Sequence, residues 1–187
     1  MKLAIAAEVC SFELMKVVKQ HLIDKGHEVL DLGMQDAAHP DKFYLTAPRV
    51  AEAVLSGKAE RGILMCGTGM GVCLVANKFK GIYAGVAESA TTARLHYVIN
   101  RANILCMGAW IVGQKVACDM VDAYLSAEIG AGFNEERRRV RGEDGEEHRH
   151  ERPEAVLGHL ADEQEHSEPA ADPDDAEERD SERRGRR

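Results

Sequence analysis

Apolar residues along the first 140 positions alternate between two spacings. Short, largely apolar runs at 2–7, 28–32, 61–66, 82–86 and 104–107 predict five buried strands. Between them apolar residues recur three and four apart, the spacing of one helix face. The first such stretch runs from about 11 to 25, with Leu14, Val17, Val18, Leu22 and Ile23 on one stripe. Ser11 is placed to cap it and Gly26 to stop it. Further helices are predicted at 47–56, where Pro48 suits a first turn, and at 72–79, 89–100 and 114–129. Residues 34–43 read as a polar loop, and no internal repeat is evident. Strands alternating with helices imply βαβ units. The fold class is therefore α/β, three layers around a five-stranded, mostly parallel sheet. Ligands of such folds bind at the carboxyl ends of the strands. Attention falls on 66–71, which follows a buried strand directly.

Composition divides the chain. Residues 1–140 carry 16 Lys and Arg against 15 Asp and Glu, and hold all five Cys, all seven Met and all nine aromatics. Residues 141–187 carry 8 against 17, with no aromatics and eight apolar residues, five of them Ala. Such a segment cannot bury enough surface to offset its ordering entropy. The expectation is one domain over 1–140 and a disordered acidic tail over 141–187, with at most a helical turn at 154–160. No apolar run reaches the length of a membrane helix. The amino terminus reads as a first strand rather than a signal peptide, because Glu8 and Glu13 interrupt it early. Five irregularly spaced Cys without a CxxC pair argue against a disulfide framework or a structural metal site, and for a cytoplasmic setting. The domain's near-zero charge gives no nucleic-acid footprint.

The segment Cys66-Gly67-Thr68-Gly69-Met70-Gly71 carries the chemistry. Glycines at alternate positions let the backbone turn tightly and leave N–H groups uncovered. A helix begins behind them, so its free N–H groups face the same turn. Together these form an anion hole for a phosphate or a reaction oxyanion. A plain glycine-rich turn is the alternative. Dinucleotide binding fits poorly, because the third glycine comes one residue early and the motif follows the third strand. Cys66 sits at the strand end beside these donors, where a thiolate, the reactive form, would find partners. Cys10, Cys73, Cys106 and Cys118 read as small apolar residues. Thr68 adds a hydroxyl two residues from Cys66.

The run CGTGMGVCLVANKFKGI, residues 66–82, resembles the sugar-phosphate isomerases that include type B ribose-5-phosphate isomerase and the galactose-6-phosphate isomerase subunits. The resemblance extends over about 2–140, through the glycine after the second strand, ANK at 76–78 and ILCMG at 104–108. It implies a flavodoxin-like domain and a homodimer or tetramer whose sites lie between subunits. It also implies a phosphorylated sugar substrate, an enediolate intermediate, and neither cofactor nor metal. Cys66 matches the family's catalytic base and Thr68 its helper at the hydroxyl. Gly67, Gly69 and Gly71 match the anion hole. In one branch a Glu just past the last glycine is the base; Val72 stands there, so Cys66 keeps the role. Asn100 matches a substrate-binding Asn and Arg137 a phosphate-binding Arg. Asn77 and Arg94 are supports of lower rank.

Departures concern substrate binding. The family's Asp-His after the first strand is Glu8-Val9 here, which keeps a carboxylate and loses the imidazole. The ring-opening His aligns with Ile99, and His96, one helical turn earlier, is the candidate substitute. An ordinary half-buried histidine is the competing reading. The other phosphate Arg aligns with Phe133, leaving the basic run at 137–139. Base and anion hole are retained; the losses concern ring opening and phosphate. The expectation is an aldose–ketose isomerase of an acyclic substrate, a tetrose or tetrulose 4-phosphate, whose esterified 4-oxygen cannot close a furanose. A ribose-5-phosphate isomerase using His96 and a non-catalytic sugar-phosphate-binding subunit remain as alternatives.

Overall fold

All six residues of Arg61–Cys66 are buried, so this run needs cover on both faces and neighbours on both edges. It is the middle strand of the sheet. A computed structural model describes residues 1–34 and 41–132; the expectations for the tail, Phe133 and Arg137 lie outside them. The elements are β1 (Lys2–Ala7), α1 (Phe12–Asp24), β2 (Glu28–Asp31), α2 (Phe43–Leu55), β3 (Arg61–Cys66), α3 (Met70–Ala76), β4 (Ala84–Val86), α4 (Ala90–Asn100), β5 (Ile104–Gly108) and α5 (Gln114–Leu125). Every strand pair is parallel, in the order β2-β1-β3-β5-β4. The layers are those of flavodoxin-like domains, with the last two strands exchanged from the 2-1-3-4-5 order.

The exchange decides which face each helix covers. A right-handed crossover changes face whenever the chain reverses direction along the sheet. Moves from β1 to β2 and from β4 to β5 run one way, and α1 and α4 share a core with α5. Moves from β2 to β3 and from β3 to β4 run the other way, and α2 and α3 share the opposite core. The chain skips a place after β3, and β5 returns to fill it. Cys66 at the end of β3 is thereby set in register with Gly108 at the end of β5.

Several boundaries differ from the sequence pattern for local reasons. The Ser11 hydroxyl does not cap α1; it donates to the Glu8 carbonyl at 3.0 Å, across a 3-10 turn at Val9–Ser11. Helix α2 starts at Phe43, so Pro48 lies inside it rather than in its first turn. Strand β4 starts only at Ala84, because the Tyr83 N–H donates to the Asn103 side chain at 2.8 Å. Helix α5 ends at Leu125, where the Ser126 hydroxyl donates to the Asp122 carbonyl at 2.7 Å. Gly26 closes α1 with a positive φ, as expected. Among the described residues no helix is long and apolar enough to cross a membrane.

The foot of β3 is tied to the α4–α5 layer. The buried Arg61 donates through Nη1 to the Tyr124 carbonyl at 2.6 Å, and its guanidinium lies 3.4 Å from the Tyr97 ring centre. The Tyr124 hydroxyl donates to the buried Ala102 carbonyl at 2.9 Å. Tyr124→Phe leaves that carbonyl without its partner. Urea unfolding should register a loss of about 1–3 kcal/mol; an unchanged midpoint would show the bond contributes nothing.

Candidate active site at the carboxyl end of the central strands

Cys66 ends β3 with only 5 % of its surface exposed. The chain then turns through Gly69 at φ +79°, a conformation L side chains avoid. This turn aims the Gly69 N–H at the Cys66 sulfur, at 3.1 Å. A Cβ on Gly69 would fall 2.9 Å from the Met107 carbonyl carbon, and one on Gly108 would fall 2.6 Å from that of Thr68. The two strand-end loops therefore meet backbone to backbone. The Ala109 N–H donates to the Cys66 carbonyl and the Trp110 N–H to the Gly67 carbonyl, both at 3.0 Å.

The N–H groups of the glycine segment divide between two tasks. Those of Gly69 and Met70 are turned inward, to the Cys66 sulfur and to the Thr68 hydroxyl at 3.3 Å. Those of Gly71 and Val72, in the first turn of α3, have no hydrogen-bond partner among the described residues. Gly71 is needed for a different reason: a Cβ there would come within 3.1 Å of the Phe43 ring.

Glu8 reaches the same end of the sheet. Its N–H donates to the Met65 carbonyl at 3.1 Å, which lays the end of β1 beside the end of β3. Its carboxylate accepts a hydrogen bond from the Cys10 thiol at 3.5 Å. Burial, then the charge of Glu8 and the hydrogen bond to it, push the Cys10 thiol up to about 11. Cys10 is therefore a neutral donor that holds Glu8 in place.

Asn100 and His96 are not brought to this cluster within one chain. Helix α4 starts from its Ser89 capping box at the carboxyl end of the sheet and descends to the start of β5. Asn100 is exposed at its foot, about 17 Å below Cys66 by the length of β5. His96 faces β4 and β5 rather than the Cys66 turn. Its ring fills the space a Cβ on Gly85 would occupy, and its Nε2 lies 3.3 Å from the Ile104 carbonyl. Burial lowers its pKa below the usual 6.5, so it stays neutral at pH 7. This is the structural role of a histidine facing a small residue on a neighbouring strand. Arg94 is exposed on α4.

Asn77 proves to be a backbone clamp. Its side-chain oxygen accepts from the Ala84 N–H at 2.9 Å, and its Nδ2 donates to the Ala84 carbonyl at 2.8 Å and the Cys73 carbonyl at 3.0 Å. It pairs with edge strand β4 as a further strand would. Cys73 is not the inert apolar residue its sequence setting suggests. It is half-buried, and hydrogen bonds with Cys106 and then Asn77 lower its pKa to about 7, against the opposing effect of burial. The residue that sequence reasoning missed is Trp110. Its indole covers Gly67, within 2.7 Å of where a Cβ would stand. The available signal was a lone Trp two residues after the glycine that ends a buried strand.

An α/β domain whose central strand ends on a thiol beside free backbone N–H groups offers a site for an anionic ligand. The family model for Ribose/Galactose Isomerase matches residues 3–141, and the chain belongs to that family of isomerases. It is 43 % identical over 135 residues to the 4-deoxy-4-sulfo-D-erythrose isomerase of Clostridium sp. strain MSTE9, covering 72 % of this chain and 82 % of that protein. It is 33 % identical over 132 residues to the D-erythrulose-4-phosphate isomerase of Pectobacterium atrosepticum, covering 71 % and 87 %. Among solved structures, the ribose-5-phosphate isomerase B of Clostridium thermocellum superposes with a TM-score of 0.70 at 37 % identity, covering 78 % of this chain and 96 % of that one.

Two measurements test this geometry. Gly69→Ala should cost about 1–2 kcal/mol of stability from its left-handed backbone alone, read by urea unfolding; wild-type stability would mean the turn relaxes freely. The second concerns His96, whose folded-state pKa is depressed. Its contribution to stability is full above about pH 6.5 and is lost as pH falls through the folded-state value. Tm measured from pH 7.5 to 5 should fall less steeply for His96→Gln, with isomerase activity at pH 7.5 unchanged. An equal slope, or lost activity, would contradict the assignment.

Proposed function

We propose that the chain, through residues 1–140, interconverts the aldose and ketose forms of a small acyclic sugar carrying a terminal anionic group. The observation that carries this is the Gly69 N–H held 3.1 Å from the Cys66 sulfur, beside unpartnered N–H groups at the carboxyl end of the sheet. In its thiolate form Cys66 takes the proton from the carbon beside the carbonyl. The electron pair moves onto the carbonyl oxygen and forms an enediolate. The N–H groups of the glycine segment stabilise that charge. The thiol returns the proton to the former carbonyl carbon, while the proton of the adjacent hydroxyl passes to the enediolate oxygen, with Thr68 assisting, so that hydroxyl carbon becomes the new carbonyl. Glu8 orients a substrate hydroxyl.

Substrate length is argued from a missing imidazole. Ring opening needs an acid or base at the ring oxygen; Ile99 occupies the expected position, and His96 is committed to Ile104. A four-carbon sugar with phosphate or sulfonate at carbon 4 has no furanose to open. Two relatives named above are called isomerases of such compounds, which supports the reading. Asn100 and Arg137 then serve the site of a second copy in a homodimer or tetramer, because Asn100 lies at the wrong end of its own sheet. A ribose-5-phosphate isomerase is the second reading, favoured by the superposition with that enzyme.

The test is a coupled assay with D- and L-erythrulose 4-phosphate, 4-deoxy-4-sulfo-D-erythrose, ribose 5-phosphate and galactose 6-phosphate. Turnover confined to four-carbon substrates, and reduced a hundredfold or more in Cys66→Ala, is the expected result. Faster conversion of ribose 5-phosphate would overturn the specificity. No turnover of any would favour a binding subunit. In a Cys73→Ser background, which removes the competing thiol, a four-carbon substrate should protect Cys66 from iodoacetamide. Labelling unaffected by substrate would remove Cys66 from the site.

A further inference from the structure

Trp110 is the sole tryptophan of the chain and, at 72 % exposure, the most exposed large apolar side chain among the described residues. Leaving an indole in water forgoes the stabilisation that burial would provide. This one is not on a loose tip. Its N–H is held by the Gly67 carbonyl at 3.0 Å, and the N–H groups of Ile111 and Val112 are held by the Gly108 carbonyl at 3.0 and 2.9 Å. The ring rests on Gly67, whose missing side chain makes room for it. Gly67 in turn adjoins Cys66. A fixed backbone, a cleared glycine and a ring left to solvent describe a surface built to be covered by something.

We infer that Trp110 is a specificity-determining residue whose indole flanks the turn after Cys66 and packs against the C–H face of the short substrate chain. This rests on the acyclic-substrate reading above. Because the ring lies on Gly67, next in the chain to Cys66, a substrate whose reacting carbons lie at the Cys66 sulfur runs alongside it. The indole offers one N–H donor, no acceptor and no charge. Ring hydroxyls turned toward it lose hydrogen bonds to water without replacement, which is costly. The C–H bonds of a chain lose nothing and gain an apolar contact. Val9, 45 % exposed after β1, and Met70, 58 % exposed at the start of α3, are further apolar side chains at the same end of the sheet.

The wild-type assay comes first: if no four-carbon substrate turns over, the acyclic reading has failed, and this inference with it. With turnover established, Trp110→Ala should raise KM for the four-carbon substrate about tenfold, leave kcat within a few-fold, and narrow its advantage over ribose 5-phosphate. Trp110→Phe should restore most of the affinity. In Cys66→Ala, binding of D-erythrulose 4-phosphate should shift Trp110 emission, which reports this ring alone. Unchanged KM and substrate ratio in Trp110→Ala, or an emission blind to the substrate, would overturn the inference. So would loss of the oligomer by size exclusion in Trp110→Ala, which would make the ring a subunit contact instead.

Discussion

The site depends on one close approach, between the backbone of 67–69 and that of 107–110. Three side chains would prevent it: at Gly69, at Gly108 and at Gly67 a Cβ would stand within 2.9 Å of atoms of the opposing loop. Without those groups the loops exchange hydrogen bonds directly. The turn at Gly69 then has one orientation, and its N–H meets the Cys66 sulfur. The thiol accepts a hydrogen bond from that backbone. Pre-organised donors of this kind need no rearrangement when charge develops during a reaction.

The order of the strands sets up that approach. With β5 between β3 and β4, the two loops that must touch leave adjacent strands. The displaced β4 has only three residues and one strand neighbour. Asn77 compensates, presenting donor and acceptor to Ala84 on the open edge. A residue of the motif that appears catalytic by its neighbourhood is in this way structural, and it keeps α3 in place behind the thiol.

Cys66, Thr68, Glu8 and backbone N–H groups of the glycine segment lie at the carboxyl end of the sheet. The histidine nearest in sequence to the family position is neutral and occupied elsewhere. The proposal of an acyclic substrate rests on that missing imidazole.

By itself the sequence determined the strand–helix alternation, the parallel sheet and the segment of Cys66. Periodicity and glycine placement are local properties, and β1 and β3 follow the apolar runs residue for residue. The cap at Ser11, the start of α2 and the shortened β4 were not legible, because competing hydrogen bonds from Glu8 and Asn103 decide two of them. The roles of His96, Asn77 and Trp110 needed the tertiary structure. Each is set by what a neighbouring strand lacks or leaves open: space above Gly85, an unpaired edge at Ala84, and a bare backbone at Gly67. Sequence distance carries no record of those neighbours; the order and register of the strands, settled over the whole chain, decide them.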